Sequence, residues 1–140
     1  MSTYYLVAIL RRNTEVTVDS AVRLTVSQLM APFDSHAEGV PAERRRWDSY
    51  SCCEKKGLEE WIPNYGSVIE NGSLFIFPAD AMTANGVPYA IVSPERQWIQ
   101  SNATTQHPED PQWISTAIHF CKNYPGHHAV LIRCMLQKVS

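Results

Sequence analysis

The sequence predicts an α+β fold: a mainly antiparallel sheet with two helices on one face, a split β-α-β or ferredoxin-like variant with a long central connection. Three observations point there. Apolar stretches of strand type lie near both ends of the chain, at Tyr4–Leu10 and Ala129–Leu136. Two stretches with helical spacing lie between them. A hairpin pattern, "VPYAIV" and "QWIQ" around the turn "SPER", comes before the second helical stretch.

Taken in order, Tyr4–Leu10 is apolar on both faces, so it belongs inside a sheet. Thr17 is placed to cap a helix running to Met30, with Val18, Ala21, Val22, Val26, Leu29 and Met30 on one side. The alternation in "AVRLTV" also fits a strand, but "APF" ends the segment as a helix is ended. From about residue 32 to 72 the periodicity fades into an irregular connection with a short helix expected at "LEEWI". A loop of that length is either functional or not truly a loop. "SLFIF", ended by Pro78, reads as a strand. Asp110 caps the second helix, and Pro111 sits in its first turn, where a missing N–H matters little. Ile114, Ala117, Ile118 and Cys121 form its expected buried stripe. "YPG" ends it and "HHAVLIRCML" is the last strand.

The 140 residues, 44% hydrophobic, suffice for one globular domain, and the whole span 1–140 is read as that domain. A formal net charge of −2 speaks against a dedicated nucleic-acid clamp and against an acidic mimic of one. No apolar stretch approaches the roughly 20 residues of a membrane span. In "MSTYYLVAILRRN" the arginines follow the apolar run, the reverse of a signal peptide. Two helices on one face would leave the other apolar sheet face to the middle segment, a second copy of the chain (a homodimer) or a partner.

The stretch "ERRRWDSYSCCEKKG" concentrates the chemistry. Cys52 and Cys53 are adjacent, so an extended backbone points them opposite ways, and no Cys-x-x-Cys pair exists for zinc. No metal and no cofactor is expected. Arg44, Arg45 and Arg46 beside Trp47 and Tyr50 could grip phosphates and stack a base, could anchor a protein partner, or could form a solvated loop with its tryptophan folded back. His127 and His128 would point to opposite faces of the sheet, leaving one of them to meet Asp48 in a small hydrolase or nuclease site. No nucleophile elbow, phosphate loop, zinc-protease motif or dinucleotide fingerprint occurs.

"LMAPFD", "RWDSY", "VPYAIVSPERQW" and "YPGHHAVLIRCML" occur in an order that resembles a family of small phage and prophage proteins, found largely in actinobacteria and their viruses. Trp47, Asp48 and Tyr50 match its Trp-Asp-x-Tyr; Pro88, Tyr89 and Trp98 match its hairpin. Tyr124, Pro125, His127, Ala129, Val130, Leu131 and Cys134 match its closing strand. The family's Gly-Gly-Arg-Trp is replaced here by "SCCEKKG", and the paired-cysteine insertion of longer relatives is lacking.

The resemblance implies a viral or mobile-element accessory protein and no reaction; the absence of a targeting pattern places its expected site of action in the reducing cytoplasm of a bacterial host. The sequence therefore favours a binding protein over an enzyme: an anti-CRISPR-like inhibitor of a host protein or ribonucleoprotein complex. Its expected contact residues are Arg44, Arg45, Arg46, Trp47, Tyr50, Trp61 and Tyr65. Hydrolysis by Asp48 with His127 or His128, and nucleic-acid binding by Arg44–Arg46 with Trp47, are the alternatives.

Overall fold

The computed structural model describes residues 3–54, 73–102 and 110–136. The elements run β1 (Thr3–Ile9), α1 (Asp19–Met30), β2 (Trp47–Cys52), β3 (Ile76–Pro78), β4 (Ala90–Val92), β5 (Trp98–Gln100), α2 (Pro111–Lys122) and β6 (His128–Leu136). The strands form one mixed, mostly antiparallel sheet in the order β2-β6-β1-β4-β5. β3 pairs with β6 beyond the end of β2, so β2 and β3 lie end to end along one edge of β6. Between them, Glu54 and Leu74 form an antiparallel bridge and the Phe75 N–H donates to the Cys53 carbonyl at 3.0 Å. The fold is α+β, as the sequence predicts.

The helices do not share a face. α1 covers Leu6, Ala8, Val130, Ile132 and Cys134 with its own Val22, Val26, Leu29 and Met30. α2 covers Val7, Ile9, Ile91, Ala129 and Leu131 with Trp113, Ala117 and Cys121. Chain handedness explains the arrangement. β1 and β2 both run antiparallel to β6, so α1 belongs to a crossover between parallel strands. The β5–α2–β6 connection also joins parallel strands, running the opposite way to β1. Both crossovers step across the sheet in the same lateral direction. Crossovers of this type are right-handed in about 98% of cases, and two of one hand on opposed strands must use opposite faces. The apolar face expected to await a partner is therefore covered by α2 and by Ala79 and Met82 of the segment after β3.

The connection expected to be irregular holds β2. Its sequence WDSYSC turns Ser49 and Ser51 to solvent and half-buries Trp47, Tyr50 and Cys52. A register shift between Trp47 and Ser49, around Asp48, breaks the alternation that would have announced a strand. The segment "LEEWI" lies outside the described residues.

The helix termini differ from the sequence reading in one case. Val18, not Thr17, is the N-cap of α1 and no side chain caps it; Asp19 in the first turn pairs with Arg23 instead. At α2 the expected cap is present: Asp110 accepts from the Trp113 N–H at 3.2 Å, and its other oxygen takes the Asn102 N–H and the Ser101 hydroxyl, each at 2.8 Å. The buried stripe of α2 begins one residue early. Trp113 is buried with its indole N–H on the Pro88 carbonyl at 2.7 Å, while Ile114 is 37% exposed.

Those hydrogen bonds, the Asn102 N–H first, hold the Asp110 carboxyl below its ordinary range. A depressed folded pKa adds stability above the unfolded value of about 3.9, and the gain disappears as pH falls through the folded value. Wild type should therefore exceed Asp110→Asn in melting temperature at pH 6, with the gap closing as pH falls below the ordinary carboxylate range. A gap that persists unchanged at low pH would show that the charge contributes nothing.

Candidate interaction surface

On the α1 side of the sheet, half-buried aromatic side chains form a connected belt. The Tyr4 and Tyr89 rings lie 4.6 Å apart. Gln100 joins Tyr89 to Trp98, its amide nitrogen 3.5 Å from the Tyr89 hydroxyl and its oxygen accepting from the Trp98 indole at 2.8 Å. Trp98 meets Phe33 at 5.2 Å, just after α1. From there the backbone carries the belt onward: the Arg46 N–H donates to the Phe33 carbonyl at 2.8 Å and the Ser35 N–H to the Trp47 carbonyl at 2.9 Å. The Trp47 ring then meets Tyr50 edge-on at 4.9 Å.

Trp47 folds back onto the core. Its indole N–H donates to the carbonyl of Met30, the last residue of α1, at 2.8 Å, supplying one of the acceptor groups' missing partners at a helix end. Tyr50 packs beneath α1 and bonds Ser27, and burial raises its phenol above the ordinary range. Burial and the neighbouring Tyr4 do the same for Tyr89, so both phenols stay protonated and can donate.

The arginine run is less open than its sequence suggests. Arg45 donates to the Val40 carbonyl at 3.0 Å, and Arg46 to the carbonyls of Glu43 and Arg45 at 2.8 and 3.0 Å. These two guanidinium groups shape their own loop, and both are half-buried. Arg44, in the one-turn 3₁₀ helix Ala42–Arg44, is exposed. Trp61 and Tyr65 lie outside the described residues.

Asp48 does not meet His127 or His128. It sits on the bulge opposite Met135 and Leu136, seven to eight residues along β6 from His128. At about 3.3 Å per residue the separation is on the order of 25 Å. A site combining them is excluded by the antiparallel register, which sends the two ends of β6 apart. Asp48 instead accepts the Ser35 hydroxyl, and His36 Nε2 approaches the same oxygen at 3.4 Å. Serine, histidine and aspartate thus meet, but in the wrong order for a triad. The carboxylate lies between the other two, so no imidazole takes the serine proton. The cluster fastens the 34–36 turn to β2.

The cysteines pack in or beside the core. Cys52 borders the α1-side core and Cys53 enters the α2-side core, as opposite-pointing neighbours must. All four are free thiols. Among the described residues no three His, Cys, Asp or Glu side chains are grouped to hold a metal ion. No described helix is long and apolar enough to cross a membrane.

The sequence reading singled out Trp47 and Tyr50 and missed Tyr4, Tyr89 and Trp98 as parts of one surface. Their aromatic character was visible; their adjacency depends on β1 pairing in parallel with β4, which joins residues over 80 positions apart. Comparison with protein-family models, curated proteins and solved structures returns no match.

Proposed function

We propose that this chain is a binding protein without chemistry of its own, which docks a host protein or ribonucleoprotein complex through the aromatic belt and the adjoining Arg44 loop. One observation carries the reading: Tyr4, Tyr89, Trp98 and Trp47 remain half-exposed in a connected surface, with the polar tips of Tyr89, Trp98 and Gln100 linked by hydrogen bonds. Interface centres are enriched in tyrosine, tryptophan and arginine, and a stable interface needs about 800 Å² from each partner. Its specific form, an anti-CRISPR-like inhibitor from a phage or mobile element, rests on the sequence resemblance.

With both sheet faces covered, the belt is the surface left for a partner. Rings already held by the fold lose little freedom on binding, which favours affinity. Tyr89→Ala with Arg44→Ala should therefore weaken a partner captured by wild-type protein at near-physiological salt by about 30-fold or more in Kd, the scale of a hot-spot loss of ~2 kcal/mol. Binding is to be measured by calorimetry on the captured complex. Equal affinity of the double variant would move the contact away from the belt.

A further inference from the structure

We propose that a groove along α2, together with the turn at its end, binds single-stranded nucleic acid. This surface is on the opposite face of the sheet from the aromatic belt and does not rest on the protein-binding reading.

The groove, about 330 Å³ and open to solvent, is lined by Ser115, Thr116, His119, Phe120 and Asn123. Its volume lies at the lower end for small-ligand sites, room for one base. Phe120 supplies an aromatic ring, and hydroxyl, imidazole and amide groups surround it. The rings continue out of the groove: Phe120 meets Tyr124 at 5.5 Å, and Tyr124 meets His127 edge-on at 5.3 Å.

Cations stand at this end without carboxylate partners among the described residues. Arg12 Nη2 donates to the Pro125 carbonyl at 2.7 Å, a neutral acceptor. Gly126 allows this approach. Its φ is +77°, and a Cβ there would lie 3.1 Å from Arg12 Nη2. Arg96 is the second cation. It sits at φ 65°, the left-handed region that favours glycine, yet it is exposed and its guanidinium makes no hydrogen bond or ion pair with the described residues. Its turn is firmly held, with the Gln97 N–H on Ser93 Oγ at 3.0 Å and the Tyr124 hydroxyl on Glu95 at 2.7 Å. A left-handed backbone position whose side chain bonds none of the described residues points to a use outside the fold. Tyr124 and its turn thus link the groove, Arg12 and the Arg96 turn.

The opposing charges are Glu95, Asp80 and the negative pole at the C-terminal end of α2. Glu95 is engaged by Tyr124, and Lys122 stands in the last helical turn, where a cation offsets the pole. The phosphates would be held by Arg12, Arg96 and Lys122, with a base against Phe120. A duplex hides the faces of its bases, so the ligand is single-stranded.

Fluorescence anisotropy with a labelled 12-nucleotide single-stranded DNA of mixed sequence, at 50 and 200 mM salt, tests this. Three phosphate contacts predict a log–log salt slope of about −2, at roughly −0.7 per contact. Arg96→Gly should weaken binding several-fold, and reduce the slope by about 0.7, while raising the melting temperature because glycine suits that φ. Lys122→Ala should weaken binding without a comparable rise. The rise separates a lost contact from a damaged fold. Absence of oligonucleotide binding at low salt, wild-type affinity in both variants, or equal competition by polyglutamate or by the matching duplex would each overturn the proposal.

Discussion

Trp113→Ala is expected to destabilise the protein by about 3–5 kcal/mol, the range for removing a large aromatic from a core. The indole is buried at the start of α2, in the core cluster that also holds Val7, Ile9, Ile91 and Leu131 of the sheet. Its N–H is the partner of the Pro88 carbonyl, and a buried carbonyl left without a donor adds about 1–3 kcal/mol to whatever the cavity costs. Domains are stable by only about 5–15 kcal/mol, so the variant should be largely unfolded at 37 °C or close to it. Trp113→Phe separates the contributions by keeping much of the volume and losing the hydrogen bond. It should fall between wild type and Trp113→Ala in urea denaturation. If Trp113→Ala melted within 2 °C of wild type, α2 would not be sealing that face.

The second large effect concerns the thiols. Burial pushes the Cys53 thiol up to about 11, and those of Cys121 and Cys134 up to about 12. Cys52 is raised as well, again chiefly by burial. The thiolate is the reactive form, so at pH 8 Cys53, Cys121 and Cys134 should react with an aromatic disulfide reagent on the order of 100-fold more slowly than a free cysteine of pKa about 8.5. Four equivalents should appear promptly in denaturant, matching the four cysteines. In the native protein Cys52, the half-buried one, should react first. A rapid native equivalent at neutral pH would mark an activated thiol and reopen a chemical role for this stretch.

The strands and helices with strong apolar patterns could be read directly. Tyr4–Leu10, "VPYAIV" with "QWIQ", the Asp110 cap and the closing strand all declare themselves through local chemistry. β2 did not, because its serines face solvent and the bulge at Asp48 interrupts its period. The face assignment of the helices is not local at all. It follows from which strands are parallel, and β1 with β4 is a pairing that no short window contains. The same limit hid the belt. Trp47 and Tyr50 are close in sequence, whereas Tyr4, Tyr89 and Trp98 are brought together by the sheet. Asp48 with His127 or His128 failed for the same reason, since residue type was visible and register was not. Arg96 could have been suspected from "SPERQW", a hairpin turn with no glycine to take the left-handed position.

The end-to-end placement of β2 and β3 has a consequence for how this architecture can vary. β6 is zipped by two separate partners on one side, and the junction between them is clamped by the Glu54–Leu74 bridge and the Phe75–Cys53 hydrogen bond. With the two strands clamped to each other, sliding either one along β6 would break that joint as well as its own ladder. This edge of β6 can therefore vary in its side chains but not in its register.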